Sequence, residues 1–567
     1  MTNRNPLRSG AIRTLDALGI KEWVKPFVID LLDFMGVEHA FSRTPEVFEA
    51  LRRLARPPGA EGPGPRVLVM SFRGAWLVHG TWEALIADGL RRRGARPTIF
   101  VCSGGLPEAL PGKTPACGIG SVHASGPSSC RQCLQCGTTV ASALGLPMLR
   151  LDDLVPPGRA AELLTSLGHL SLHELLALSH GGHPIGDYVH NSARWFLCVS
   201  DLAGAGEGEA VLRAFARSAL LVAEAAPVLL DRVRPDVVLM LNGLFFAERI
   251  VRAEARRRGV RVVSYERGFM PDTLCFSEDV PGYYDIGPLW STVKEAPLSA
   301  AQEAQLDDYL AARRKGHKAP FNYWPTLTEG VREVLSSLDL APERPTAVLF
   351  TNITWDSAAQ DRDLVFRDMW AWVVATVELF AAMPEAQLVV RVHPAEVRVP
   401  GWQTRDPLLP RLVRAFPRLP DNVRVVPPSS DLSSYTLMDL SRCGLVYTST
   451  AGLEMAMEGM PVIVAGEVHY GGKGFTKDPA DPAQYAHLLG EALTSSRDPE
   501  VRDQARRYGH ALFFRFFHPF PIVSENPPDF IPTLTTTDPA ALDPGVDPHL
   551  EAICRGILEG GAYYLPG

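Results

Sequence analysis

CGLVYTSTAGLEMAMEGMPVIVAG, residues 443–466, decides how the chain is read. Its first eight residues are an apolar run that ends in the hydroxyls of Thr448, Ser449 and Thr450. Gly452 opens a short segment with apolar residues at helical spacing, and Glu454 sits in its first turn. PVIVAG then forms a second apolar run. Two continuous apolar runs joined by a helix describe strands of a parallel sheet buried on both faces.

The alternation extends to both sides. TAVLFTN (346–352), AQLVVRVHP (386–394) and VRVVPP (423–428) read as strands separated by helical patterns. In the first half, RVLVMSF (66–72), PTIFVCSGG (97–105), DVVLMLNG (236–243) and VRVVSYERG (260–268) do the same. The chain has 567 residues, more than one core normally holds. The predicted fold class is therefore α/β, with two Rossmann-like domains facing across a cleft, N-terminal helices and a Cys-rich insertion. The expected divisions are a helical N-terminal extension (1–55), an N-terminal Rossmann-like domain (66–290) with its insertion at 117–136, a connecting segment (291–340), a C-terminal Rossmann-like domain (341–495), and C-terminal helices and tail (496–567).

Composition narrows the class. Hydrophobic residues make up 46% and charged residues 21%, as in ordinary globular proteins. A net charge of -8 gives no general attraction to nucleic acid or anionic lipid. No apolar run reaches the length of a bilayer span, and the basic start lacks the apolar stretch of a secretory signal. A cytoplasmic location is expected, with a position peripheral to the inner membrane left open.

In open parallel sheets, ligands bind beyond the carboxyl ends of the strands. Hydroxyls and free N–H groups where a helix begins suit a phosphate. Three residues before Glu454 stands Ala451, so no capping box consumes its carboxylate. The acid can accept from both hydroxyls of a ribose, or simply be favoured by the helix dipole. His393 and Pro394 end another strand. The proline stops that strand and leaves the imidazole at the sheet edge, to donate to a phosphate oxygen, assist a leaving group or serve only structure. GEVHYGGKGFT (466–476) surrounds Lys473 with glycines and reads as a mobile cationic loop, a lid or a plain surface turn.

RVHPAE, YTSTAGLEMAMEGMPVIVAG and HYGGKGFT, in that order, resemble the capsule polysaccharide biosynthesis family, which includes transferases of Kdo from CMP-Kdo. The resemblance covers roughly residues 340–480. It implies a GT-B fold with the donor nucleotide on the second domain. It also implies that His393 contacts the donor phosphate, Ser449 and Thr450 hold it, and Glu454 holds the ribose. Glu454-Met455 stands where the family has Glu-Ala.

The expected function is a glycosyltransferase acting in capsule or surface polysaccharide synthesis. The expected donor is a nucleotide-sugar, a CMP-linked acidic sugar first and a UDP-sugar second, and the acceptor a glycan or glycolipid. No nucleic acid partner is expected, and a peripheral association with polysaccharide export machinery at the inner membrane stays open. The rival readings are a nucleotide-sugar 2-epimerase and a non-catalytic polysaccharide-binding or export protein.

In a GT-B enzyme the base usually comes from the first domain. Glu266 ends a strand in YERG and can face the cleft as that base, or be a salt-bridged surface acid. HGGHPIGDYVHNSARWF (180–196) offers Asp187 as a rival base and His183 as a rival phosphate contact. Arg73 in SFRGAW suits an anionic ligand. The catalytic candidates are thus Glu266, Asp187 and His393.

Four of the nine cysteines, Cys117, Cys130, Cys133 and Cys136, fall within twenty residues in a stretch read as a Gly/Ser-rich loop. Such a group in a chain expected in the cytosol points to a metal rather than disulfides. Zinc and an iron–sulfur cluster both accept four thiolates, and the spacing does not choose between them. His123 is a substitute ligand, and free or redox-paired thiols are the alternative. A structural role is expected. Cys102, Cys198, Cys275, Cys443 and Cys554 read as buried small hydrophobes.

Overall fold

The computed structural model describes residues 44–56, 63–118, 120–123, 128–279, 286–316, 327–357, 359–399, 401–525 and 531–564. Most of the expected N-terminal extension and part of the connecting segment lie outside these residues; the helix Thr44–Leu54 lies within them.

Two sheets form the frame. The first contains β1 (Arg66–Met70), β2 (Arg96–Val101), β3 (Met148–Arg150), β4 (Val237–Leu241), β5 (Arg261–Arg267) and β6 (Thr273–Glu278). The second contains β7 (Thr346–Phe350), β8 (Gln387–Arg391), β9 (Val423–Val426), β10 (Cys443–Val446) and β11 (Val462–Val464). A short strand near the C-terminus, β12 (His518–Pro519), returns to the first sheet.

The first sheet runs β12-β6-β5-β4-β1-β2-β3, with β1 to β5 parallel and β6 antiparallel to both β5 and β12. The second runs β11-β10-β7-β8-β9 and is parallel throughout. In each sheet the first strand is central and the order reverses beside it, between β1 and β4 and between β7 and β10. Those two reversals are where open parallel sheets form crevices at their carboxyl edges. The chain is two Rossmann-like domains, the GT-B arrangement expected from the sequence.

The apolar runs explain both sheets. Leu68 and Met70 of β1 enter one core while Val67 and Val69 enter the core on the opposite face. In the second sheet, Val348 and Phe350 of β7 face one core, and Ala347 and Leu349 the other. Strands buried on both faces cannot alternate with polar residues, which is why they read as continuous apolar runs.

The C-terminal segment divides its contacts. The helix Pro499–Ala511 packs on the helix Ala451–Met457 of the second domain. The chain then crosses back, and the helix Pro548–Glu559 packs on the helix Leu77–Arg92 of the first domain.

One expectation is corrected here. Residues 128–143 are a helix and not a loop. CRQCLQC repeats every three residues, which a helix accommodates on neighbouring turns. No helix among the described residues is long and apolar enough to cross a membrane.

Candidate functional site

The carboxyl edge of the second sheet faces the first domain across a cleft. Asn352 and Asp356 after β7, His393 after β8, Thr448, Ser449 and Thr450 after β10, and Phe269 from beyond β5 line it. Glu467 and His469 complete its wall.

His393 is held at two points. Its backbone N–H donates to Thr351 Oγ1 at 3.0 Å. Its Nδ1 accepts from the Ala395 N–H at 3.1 Å. An Nδ1 that accepts carries no proton, so the neutral ring bears its proton on Nε2 and presents a donor there. Burial, with help from the Arg391 guanidinium, pushes its pKa down to about 4, so the ring is neutral at pH 7. Pro394 begins the short turn that supplies the Ala395 N–H.

Arg391, two residues earlier, is a feature the sequence reading missed. It is buried at 2% exposure. Its Nη1 donates to the Pro427 carbonyl at 3.0 Å and its Nη2 to the Ser430 carbonyl at 3.1 Å. Among the described residues no carboxylate forms a salt bridge with it, and burial lowers its pKa to about 10. A buried cation capped by carbonyls puts positive potential beneath the sheet edge, which favours an anion there.

The hydroxyl turn is built just as closely. Thr448 N–H donates to Asn352 Oδ1 at 3.1 Å, and the Thr448 hydroxyl is buried with no hydrogen-bond partner among the described residues. Ser449 Oγ accepts from the Ala451 N–H at 3.3 Å, and the Ser449 carbonyl accepts from the Tyr470 hydroxyl. Thr450 caps the helix Ala451–Met457 without a side-chain bond to it. Gly452 is required because a Cβ would lie 2.2 Å from the Tyr470 oxygen. Asn352 could have been found from the sequence, as it ends the run TAVLFTN.

Glu454 lies apart from this group. Its Oε1 accepts from Arg313 Nε at 2.8 Å and its Oε2 from the Tyr435 hydroxyl at 2.7 Å, with only 10% of the side chain exposed. The Arg313 helix, Ala300–Arg314, thereby docks on the second domain. Met455 folds over Gly444, where a Cβ would meet its sulfur at 2.3 Å. A glycine in β10 thus makes room for the methionine that stands in the alanine position of the family pattern.

Lys473 lies half-buried beside His469, whose pKa falls to about 3 through burial and the lysine charge. Its loop is tied at both ends rather than loose. Tyr470 and Phe475 are buried, and Phe475 packs against Trp290 and Tyr508.

In the first domain, Glu266 stands next to last in β5 and is half-buried. Its Oε2 accepts from Asn242 Nδ2 and its Oε1 from the Arg267 N–H, both at 2.8 Å. Burial raises its pKa, and the Asp356 carboxylate from the facing domain adds to the rise. Asp187 is exposed at the rim, 3.0 Å from Arg249. The same helix, Ile185–Leu197, joins the domains through Asn191 to Asp361 at 2.8 Å and Arg194 to the Thr354 carbonyl at 3.0 Å. Trp195 meets Trp402 there at 4.0 Å between ring centroids.

His183 is buried away from the cleft against Arg257 and Glu254. Arg73 is buried and committed to Glu248, with Nη2 2.8 Å from Oε2. Neither side chain faces the cleft with a group to spare.

The four cysteines separate. Cys117, Cys130 and Cys133 share a cavity with Cys102, whereas Cys136 lines a different one beside Thr44 and Phe48. Among the described residues no three His, Cys, Asp or Glu gather closely enough to hold a metal ion. His123 turns to the Gln403 carbonyl at 3.0 Å. Cys198, Cys275, Cys443 and Cys554 are buried, as expected, while Cys102 joins the cavity because it follows β2 directly.

Residues 377–502 match the family described as capsule polysaccharide biosynthesis protein. The resemblance first seen in three short motifs thus covers the whole segment from His393 to Lys473. Among solved structures, the chain is similar to the beta Kdo 2,4 transferase KpsC of Thermosulfurimonas dismutans, at 19% identity over 54% of this chain and 86% of that one, with a TM-score of 0.32. It is also similar to a beta Kdo 2,7 transferase KpsC of that organism, at 15% identity over 55% and 85%, TM-score 0.30. The UDP-GlcNAc 2-epimerase of Neisseria meningitidis aligns at 12% identity over 79% and 96%, TM-score 0.22. No curated protein matches the chain. At these scores the two-domain fold rests on its own strand order.

Proposed function

We propose that the protein is a glycosyltransferase that moves a sugar from a nucleotide donor to a glycan or glycolipid acceptor during capsule or surface polysaccharide synthesis. One observation carries this reading. The segment that matches the capsule family, residues 377–502, is the segment that supplies His393 and the hydroxyl turn to the cleft.

The donor phosphate binds where Thr448, Ser449 and Thr450 meet His393. A neutral imidazole with its proton on Nε2 donates to a phosphate oxygen, and the potential of Arg391 below adds to the attraction. As the sugar–phosphate bond breaks, negative charge grows on the leaving phosphate, and a preorganised donor and cation stabilise that charge most. Glu266 serves as the base toward the acceptor hydroxyl. Its raised pKa makes it a better proton acceptor than an ordinary carboxylate, once it is ionised. Glu454 reaches a ribose only by exchanging the Tyr435 hydroxyl for it. The donor is a CMP-linked acidic sugar, with a UDP-sugar second.

Thermal unfolding with CMP, UDP and GDP tests the site. A ligand at a hundred times its Kd stabilises the native state by about 2.7 kcal/mol. One nucleotide is expected to raise Tm, and His393→Ala to weaken that rise. No rise with any of the three would overturn the donor site.

A further inference from the structure

Trp76, Trp195 and Trp402 meet where the two domains touch, and each is half-buried. Trp76 lies in the loop after β1, just before the helix Leu77–Arg92. Trp195 lies on the helix Ile185–Leu197, and Trp402 follows the turn that begins at His393 and Pro394. Ring centroids are 5.7 Å apart from Trp76 to Trp195 and 4.0 Å from Trp195 to Trp402. Trp402 then stacks on Trp355 at 6.1 Å and 23°. Trp355 stands between Asn352 and Asp356, which line the cleft beside His393. A row of indoles thus runs from the first domain to the edge of that cleft.

The row is held from behind. The Phe245 ring packs edge-on against Trp76 and Trp195, at 5.7 and 5.4 Å. The Arg73 guanidinium, paired with Glu248, lies 4.4 Å from the Phe245 centroid and 5.4 Å from that of Trp76. An indole has one N–H to give. That of Trp355 goes to Thr404 Oγ1 at 2.8 Å, whereas those of Trp76, Trp195 and Trp402 meet no acceptor among the described residues. His79 adds an acceptor. Its half-buried ring packs against Trp76 at 5.6 Å between centroids. The Tyr265 hydroxyl gives its one proton to Glu83 at 2.7 Å, so at 3.2 Å it accepts from His79 Nδ1. A ring with its proton on Nδ1 keeps a lone pair on Nε2, and no donor among the described residues reaches it. Burial, with the charges of Arg267 and Arg73, pushes the His79 pKa down to about 3, so the ring stays neutral at pH 7.

A sugar ring has the complementary form. Its face of C–H groups suits an indole, and its rim of hydroxyls suits indole N–H groups and a bare imidazole nitrogen. We propose that Trp76, Trp195 and Trp402, with His79 Nε2, form the subsite on which a sugar ring of the glycan acceptor stacks. This rests on the reading of the chain as a transferase to a glycan, and adds where that glycan is held. The subsite reads C–H faces and hydroxyls rather than charge, because the cation behind the row, Arg73, is committed to Glu248. Two indoles come from the first domain and one from the second, so the subsite is complete only when the domains meet. Trp402 shares its segment with His393, which connects the acceptor subsite directly to the donor site.

The test is calorimetric titration of the full chain with oligosaccharides released by mild acid from the surface polysaccharide of the source organism. The wild type is expected to bind them. Trp76→Ala and Trp402→Ala should each weaken binding by about tenfold or more. His79→Phe, which keeps a ring and removes the acceptor nitrogen, should weaken it less. The nucleotide-dependent rise in Tm should survive all three. Should a variant fail to fold, hydroxyl-radical footprinting of the wild type replaces it: the oligosaccharides should protect Trp76, Trp195 and Trp402 and leave Trp370, on the helix Met369–Ala381, unchanged. The proposal is overturned by wild type that shows the nucleotide effect and binds no oligosaccharide, by variants that bind as wild type does, or by protection away from the row. Binding on the row without any nucleotide effect would keep the sugar subsite and remove the transferase reading, and the absence of both would overturn the two together.

Discussion

The two sheets share one strand order and treat charge at their carboxyl edges in opposite ways. At the first edge, Arg73 and Glu248 neutralise each other with side chains 4% and 2% exposed. Beside them, the Tyr265 hydroxyl donates to Glu83 at 2.7 Å and lies 3.2 Å from His79. At the second edge, Arg391 is held by carbonyls, and the hydroxyl of Thr448 is buried without a partner among the described residues. An edge whose charges are paired within the fold needs no ligand. An edge that keeps a buried cation and a hydroxyl without a partner among the described residues suits an anion. The same topology thus gives one wall whose charges are paired within the fold and one that suits an anion, and the difference lies in the side chains at and beyond the strand ends.

The largest expected effect breaks the first wall. Arg73→Ala leaves the Glu248 carboxylate buried and unpaired, which costs about 3–5 kcal/mol. Urea unfolding should show this loss. Arg391→Ala removes a cation that no carboxylate among the described residues holds in a salt bridge, so its cost in stability should be clearly smaller, while the nucleotide-dependent rise in Tm should disappear. Equal losses from the two substitutions would erase the contrast between the edges.

The smallest-looking shift in geometry comes next. Gly452→Ala drives a methyl into the Tyr470 hydroxyl, and the bond from that hydroxyl to Ser449 must give way. Overpacking of this kind costs about 1–3 kcal/mol. The hydroxyl turn should loosen with it, so both Tm and nucleotide binding should fall.

Buried groups at these edges also differ from one another in the sign of their pH dependence. Glu83 rises from 4.5 to about 8, chiefly through burial, so the folded state holds a proton that the unfolded state releases. Its contribution is fully present below pH 4.5 and is lost as pH rises through about 8. Glu396, raised to about 7, acts with the same sign over a shorter range. His393 falls from 6.5 to about 4, so its contribution is present above 6.5 and is lost as pH falls toward 4. Between pH 7 and 8, a full proton difference amounts to about 1.4 kcal/mol per pH unit. Glu83→Gln should flatten the decline in Tm over that interval, and His393→Ala should leave it unchanged. A decline that survives Glu83→Gln would assign it elsewhere.

The contrast also explains what the sequence made legible. The second edge is written locally. RVHP and YTSTAG each place a strand, its end and its polar groups within a few residues, so the strands and the residues at their ends could be anticipated together. The first edge is written across the chain. Arg73 and Glu248 are 175 positions apart, and Tyr265 and Glu83 are 182 apart. No local pattern announces such pairs, so Arg73 read as available when it is committed. Glu454 follows the same rule: its partner Arg313 lies 141 residues away on a helix that the sequence left in a connecting segment. β3 escaped because its three residues are only half-buried and carry no apolar run. The cysteines misled in a different way, since glycine and serine around them suggested a loop while their spacing of three suited a helix that turns Cys136 aside.

The finest test uses the unused hydroxyl of Thr448. Valine keeps nearly the same volume and removes only the oxygen. Where a buried hydroxyl has no partner, its removal costs no hydrogen bond and spares a desolvation penalty, so Thr448→Val should leave Tm unchanged or slightly raised. If the oxygen donates to the donor phosphate, the same substitution should weaken nucleotide binding by about 0.5–1.5 kcal/mol, seen as a smaller ligand-induced rise in Tm. The two readouts must move apart. A loss of basal stability with the ligand effect intact would mean that Thr448 serves the fold, as Glu248 does at the first edge, and that the second edge is as self-contained as the first.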